Sequence, residues 1–274
     1  MSQLQANVHA ARRYSSLAFL YAVPIAVLGG LIGLGGAEFR LPVLAGALGY
    51  SVRQAVPLNL SVSLVTVTTS LLIRANTLSL QSLQVFITPI VALIVGAVTS
   101  AFFGASLVTR LSERQLKRVI LVLLVVIGVA LVIEAFLPQF ASGFVPVDNL
   151  WQAMTGVSFG LVIGLVSTLL GVAGGELIIP TLIFAFGVDI KTAGTASLLI
   201  SLPTILAGLS RHTRHGAFAD RRPLTDTVVP MGIGSVIGAI LGGLLVGFIS
   251  QSLLKLALGI ILIISAIRIF RHKE

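Results

Sequence analysis

Three ionisable residues stand in apolar company. Glu38 and Arg40 lie in GLGGAEFRLP (Gly33–Pro42), and Glu176 lies in GVAGGELIIP (Gly171–Pro180). An ionised group in such surroundings costs ~3 kcal/mol or more unless it is paired, protonated or wet, so it reads as functional by default. Arginine offers a planar fork that grips an oxyanion bidentately. Arg40 is therefore a candidate ligand for a small anion. A carboxyl group carries a proton in its neutral form, which makes Glu38 and Glu176 candidates for proton coupling. A carboxylate repels an anion unless it is protonated or paired, and that fits the coupling role. Two blander readings stay open: a structural Glu–Arg pair, or glutamates capping the first turn of a helix.

Each motif also carries a glycine break, Gly35-Gly36 in one and Gly174-Gly175 in the other. Glycine lets the chain turn where a Cβ clashes. A short helix starting after such a break presents amide N–H groups with no intrahelical partner and the positive end of its dipole. Two such ends, facing each other from opposite leaflets, suit a small oxyanion. Tight helix packing is the alternative use of these glycines. Polar rows follow each break. Asn59, Ser63, Thr66 and Ser70 fall at i, i+4, i+7 and i+11, on one helix face. Ser197, Ser201 and Thr204 repeat the start of that pattern. Asn59, Ser63, Ser197 and Ser201 join the candidate site, with interhelical bonding as the alternative.

The elements that position these residues belong to a membrane. The chain is 56% hydrophobic and 10% charged, where a soluble domain carries roughly a quarter charged residues. Apolar runs at 17–34, 82–108, 119–137, 154–172, 224–249 and 253–267 approach or exceed the ~20 residues that cross a hydrocarbon core. The N-terminal MSQLQANVHAARRYSS has the charge of a signal peptide, but no small-x-small cleavage site follows it, so the first run is expected to stay as a span. There are no cysteines, which excludes disulfides, iron–sulfur clusters and thiolate zinc. His9, His212, His215 and His272 lie in loops or termini, so no metal or other cofactor is expected. The net charge of +9 reads as cytoplasmic loops rather than nucleic-acid binding.

The two motifs are copies of each other. At an offset of 138 residues, Gly33 falls on Gly171, Gly36 on Gly174, Glu38 on Glu176 and Pro42 on Pro180. The same offset sets Asn59 on Ser197, Gly96 on Gly234 and Leu116-Lys117 on Leu254-Lys255. Each half reads as a span, a glycine break, a short apolar segment (38–49 or 176–187) and three long helices. Those helices are expected over 55–73, 84–109 and 116–137, and over 193–210, 224–248 and 253–270. The hairpin returns the chain to its starting side, and three further crossings put the second half on the opposite side. The expected fold is thus an all-α polytopic membrane protein of two inverted-topology repeats, 1–137 and 151–274. Residues 138–150 form an extracytoplasmic linker. With the N-terminus inside, the cytoplasmic segments hold fourteen of the 18 basic residues. Arg74, Lys191 and Lys255 fall outside, and Arg40 lies in the hairpin. That bias supports cytoplasmic termini. Glu134 and Asp148 are expected near the outer surface, and Pro89 and Pro230 as kinks. Small-xxx-small stripes at Gly156, Gly160, Gly164 and at Gly234, Gly238, Gly242 suit close packing and leave a homodimer open. The RHTRHGAFADRRP loop suits anionic lipid.

GLGGAEFRLP and GVAGGELIIP, each near the end of the first helix of a half, resemble the duplicated glycine-rich motifs of the TauE/SafE sulfite exporter family. Asp189–Leu198 (DIKTAGTASL) is similar to the segment after the second motif there. The resemblance covers about residues 17–270. It implies a multi-pass transporter of a bacterial inner membrane that exports sulfite or an organosulfonate such as sulfoacetate, driven by protons. The usual family motif is hydrophobic at the place of Glu176, and often at that of Glu38, which marks a subgroup. An anion channel of the same architecture and an importer of a related sulfur compound are the alternatives. An enzyme is disfavoured, since no histidine lies in a span and no serine sits near a plausible base.

Overall fold

The computed structural model describes residues 2–78, 81–103, 113–136, 143–170 and 174–271. Among these the chain is entirely helical between its turns. Helix α1 (Ser2–Ile32) leads to a short α2 (Ala37–Pro42) that continues as one π-helical turn, Val43–Ala47. Then come α3 (Val52–Thr77), a single turn α4 (Gln81–Gln84), α5 (Ile87–Phe103) and α6 (Glu113–Phe136). The second part repeats the order: α7 (Asn149–Leu170), α8 (Gly175–Phe186), α9 (Ile190–Arg214), α10 (Val229–Leu245) after a π turn at Leu224–Val228, and α11 (Gln251–Arg271). Five of the described helical segments are long and apolar enough to cross a membrane: Tyr14–Ile32, Arg53–Thr77, Asn149–Ser167, Ile190–Arg214 and Leu224–Leu245.

Local chemistry explains the starts of these elements. Gly36 and Gly174 cap the two short helices with left-handed backbones, φ 72° and φ 79°, a conformation that penalises any Cβ. Gly171 and the rest of the second break up to 173 lie outside the described residues. Ser51 and Asp189, again 138 residues apart, cap α3 and α9. Asp189 accepts the N–H groups of Lys191 and Thr192 at 3.0 and 3.1 Å. Gln54 reaches back to the Ser51 N–H at 3.3 Å. These caps satisfy donors that helix starts leave open. Pro89 sits in the first turn of α5, just after the turn at 85–86, and Pro230 follows directly on the π turn Leu224–Val228 that runs into α10. A proline near a helix start removes little intrahelical bonding.

Helices of one half pack on helices of the other. Helix α1 lies along α10, α7 along α5, α6 along α11, and α3 contacts both α9 and α10. The glycine stripes make the first two contacts. A Cβ on Gly238 or Gly242 would strike the Val23 or Val27 carbonyl of α1, and one on Gly96 the Val157 carbonyl of α7. Backbone contact of this kind holds helices together in lipid, where burying apolar surface drives nothing. The stripes are therefore used within one chain, and a homodimer would need another face. Residues 143–148 run back over α8, where the Phe144 and Val145 N–H groups donate to Phe184 and Ala185 at 3.2 and 3.0 Å.

Two charges near helix ends are buried by neighbouring helices: Glu134 is 1% exposed and Lys255 is 7% exposed. They form an ion pair at 2.7 Å between α6 and α11. Both helices turn these residues inward, and glycine contact at Gly128 and Gly259 brings the helices close enough for the pair to form. Breaking one partner leaves an uncompensated buried charge, a loss of ~3–5 kcal/mol, whereas an apolar double replacement is close to neutral. Lys255→Met alone is thus expected to lower the thermal unfolding midpoint in detergent, and Glu134→Leu combined with it to restore most of the loss. Equal midpoints for the single and double variants would show that the pair carries no such coupling.

Candidate functional site

Arg40 is 0% exposed, and every N–H of its guanidinium has an acceptor inside the protein. Its Nε donates to Asn59 Oδ1 at 3.3 Å. Its Nη1 donates to Thr66 Oγ1 at 2.6 Å and to Ser235 Oγ at 3.3 Å. Its Nη2 donates to the Gly35 carbonyl at 2.5 Å and to Ser63 Oγ at 3.0 Å. One side chain thereby ties the first glycine break to α3 and α10. All five acceptors are neutral, and Arg40 makes no ion pair among the described residues. The result is a cation held in fixed geometry by neutral acceptors, with the Glu38 carboxyl two residues away on α2 as the acidic group that acts on it without direct contact.

The surrounding groups are themselves braced. Asn59 Nδ2 donates to the Ala37 carbonyl at 2.9 Å, fixing the start of α2. Thr66 donates to the Val62 carbonyl at 3.0 Å. The hydroxyl protons of Ser63 and Ser235 have no acceptor among the described residues, although both oxygens accept from Arg40. Two O–H donors thus lie beside the Arg40 guanidinium.

The second break approaches the first. A Cβ on Gly175 would lie 3.0 Å from the Leu34 carbonyl and 3.2 Å from Ser197 Oγ. The start of α8 thus rests on the turn of the first hairpin. The Ser197 hydroxyl is buried there with no hydrogen-bond partner, and Ser201, 1% exposed, lies one turn further along α9. Ile178 occupies the place equivalent to Arg40 and is 1% exposed. None of Arg40's bonds reaches α8 or α9. The structure therefore joins Gly35, Arg40, Asn59 and Ser63 by hydrogen bonds, and Gly175 and Ser197 by contact at Leu34. Gly36 and Gly174 act as backbone caps, packed against Ile25 and Ile163. Glu176 is 6% exposed in the first turn of α8. Glu38 is half-buried, and its Oε1 has no hydrogen-bond partner.

Two residues escape a reading of the sequence. Ser235 lies 195 residues from Arg40, inside a glycine-rich helix that announces packing and nothing else. Arg74 reads as an outside charge near a helix end, yet it is 0% exposed. Its guanidinium is seated beside Gly33 and Gly194, where a Cβ on either would meet its Nη1 at 2.6 or 2.8 Å.

No group of three or more histidine, aspartate or glutamate side chains able to hold a metal occurs among the described residues. None of the curated proteins and none of the solved structures compared with the chain matches it. The sulfite exporter TauE/SafE family matches residues 2–131 and 157–274. That match spans nearly the whole chain and includes both glycine breaks, Arg40 and Ser235, and the chain belongs to the TauE/SafE sulfite exporter family.

Proposed function

We propose that the protein is a secondary active transporter that exports sulfite or an organosulfonate such as sulfoacetate in exchange for protons. The anion sits near the membrane midplane at the two glycine breaks. The observation that carries this reading is the Arg40 guanidinium, wholly buried among five neutral acceptors. A buried cation of this kind calls for an anion, and the Ser63 and Ser235 hydroxyls supply two further donors. The 3.3 Å bonds to Asn59 and Ser235 are the weakest that Arg40 makes, and an oxyanion replaces these two at least cost.

The two halves, 1–137 and 151–274, are read as inverted repeats joined by an extracytoplasmic linker at 138–150, with both termini in the cytoplasm of a bacterial inner membrane. Several features support the division. The glycine caps and the α3 and α9 caps recur at one offset. Helix partners also exchange under it: α1 with α10 in one half corresponds to α7 with α5 in the other. Such repeats place a site at discontinuous helices between them.

An inside-negative membrane potential already drives anions outward, by ~2.3 kcal/mol per charge per 100 mV, a ratio of about fifty. Proton coupling adds to that force. Glu38 and Glu176 hold equivalent places two residues after the glycine caps, and protonating them removes their repulsion for the anion. In proteoliposomes loaded with sulfite, efflux should saturate, show counterflow and accelerate when the outside is made acidic. Glu38→Gln and Glu176→Gln should abolish the acceleration. Macroscopic current without saturation would make the protein a channel, and efflux indifferent to the gradient in the unaltered protein would remove the proton role of both glutamates.

A further inference from the structure

Arg74 is a second wholly buried guanidinium, and the reading above leaves it unused. It lies in the last turn of α3, and its Nη2 donates to the Lys191 carbonyl at 3.2 Å. Its Nε and Nη1 have no hydrogen-bond partner, and it makes no ion pair among the described residues. A mere tether between α3 and α9 would use these donors, since a buried donor left unmade costs ~1–3 kcal/mol, and more when charged. The space is nevertheless kept for the group: Gly33 and Gly194 lack the Cβ atoms that would crowd Nη1.

Its position gives the orphaned donors a use. Asn59, Ser63, Thr66, Ser70 and Arg74 are each 0% exposed and lie on one face of α3. Arg40 engages the first three, the Ser70 hydroxyl is buried without a partner, and Arg74 ends the row. From Thr66 to Arg74 the helix rises ~12 Å. The tip of the first hairpin runs between the two cations, with Gly33 beside Arg74 and the Gly35 carbonyl on Arg40. On its other side Arg74 is linked through the Lys191 carbonyl to the wall of a cavity. The Lys191 carbonyl that accepts from Arg74 also accepts from Thr195 at 3.0 Å. Lys191 and Thr195, with Ser82, Asp189, Thr192 and Gln251, line a cavity of about 240 Å³. Asp189 is the acidic group there, and its Oδ1 is turned to the amides at the start of α9.

We infer that Arg74 forms a second binding position for a small oxyanion, between this cavity and the Arg40 cluster, so that the anion passes from one guanidinium to the other along α3 past Ser70. Two moderate positions suit transport better than one tight one, because the anion must leave as well as enter. The inference rests on the anion-transport reading, and its test separates the two.

Sulfite binding to purified protein is measured by titration calorimetry for wild type, Arg40→Ala, Arg74→Met and Arg74→Lys, with the unfolding midpoint of each protein without sulfite. Arg74→Met is expected to weaken binding about tenfold, to leave the sulfite-free midpoint unchanged or raised, and to be partly rescued as Arg74→Lys. Loss of binding in Arg40→Ala with wild-type binding in Arg74→Met overturns the second position and leaves the Arg40 site standing. Loss in Arg74→Met alone keeps Arg74 and overturns Arg40. Wild-type binding in both variants overturns both. If Arg74→Met fails to fold, crystals of the unaltered protein in sodium bromide decide the matter. An anomalous peak within about 3.5 Å of the Arg74 guanidinium supports the inference, and its absence beside a peak at Arg40 overturns it.

Discussion

Arg40→Ala is expected to abolish measurable sulfite binding and transport while costing only part of the fold's stability. The residue makes five hydrogen bonds to neutral acceptors, each worth ~1.5–3 kcal/mol when one partner is charged. Their sum overstates the loss, because removing the cation also removes its desolvation cost and lets the Ser63, Thr66 and Ser235 hydroxyls bond to one another. A stability loss of ~2–4 kcal/mol is expected, read as a lower unfolding midpoint. Binding suffers more, since both the charge and the orientation of two hydroxyl donors disappear together; a drop of ~100-fold or more is expected. Arg40→Lys separates the two contributions. It keeps the charge but has three donors in place of five, so it should retain sulfite binding within ~10-fold of wild type while losing part of the stability. An Arg40→Ala protein that binds sulfite like wild type would remove Arg40 from the site.

Gly33→Ala and Gly194→Ala should each be strongly destabilising for the addition of a single methyl group. Gly33 has φ +96°, and its added Cβ would run into the Gly194 carbonyl; an added Cβ on Gly194 would run into the Ile32 carbonyl. Neither collision is with a flexible side-chain end, so the hairpin tip must move off α9. Overpacking of this kind, joined at Gly33 to an unfavourable backbone angle, costs ~3–5 kcal/mol. The same displacement would carry Gly35 away from Arg40 and Leu34 away from Gly175, so transport should fall even in protein that still folds. Gly46→Ala is the control. Nothing lies within 4 Å of its added Cβ, and alanine favours a helix by about 1 kcal/mol over glycine. Equal unfolding midpoints for Gly33→Ala and Gly46→Ala would show that the tip does not rest on α9 as tightly as the structure has it.

Both predictions turn on how a hairpin tip meets its neighbours, and the sequence reaches that point unevenly. The tip itself is legible. A glycine pair between a long apolar run and a short one marks a break, and its recurrence 138 residues on marks an equivalent place. The caps at Gly36, Ser51, Gly174 and Asp189 depend on near neighbours alone, so spacing predicts them. The polar row from Asn59 to Ser70 is likewise a local property, a helix period applied to one face. Arg40 could be singled out because no water-facing role fits a charge so placed.

The partners of these residues were not legible. Ser235 meets Arg40 only because α10 packs on α3, and one serine among glycines carries no signal of that. The burial of the charges near helix ends is not legible for a related reason. Arg74, Glu134 and Lys255 lie where long side chains usually reach toward the membrane surface, and sequence alone favours that route. Whether such a group turns outward or inward depends on the space a neighbouring helix leaves. At Arg74 that space is made by Gly33 and Gly194, from two other elements, and at Lys255 by the glycine contact of α6 with α11. By itself the sequence determined the membrane class, the two breaks, their caps and the polar face, all set by hydropathy and by backbone rules that act within one helical turn. Tertiary packing decided which buried charges meet in a direct ion pair and which are held by neutral groups, because a charge in lipid is governed by what the nearest helices bring within hydrogen-bond reach.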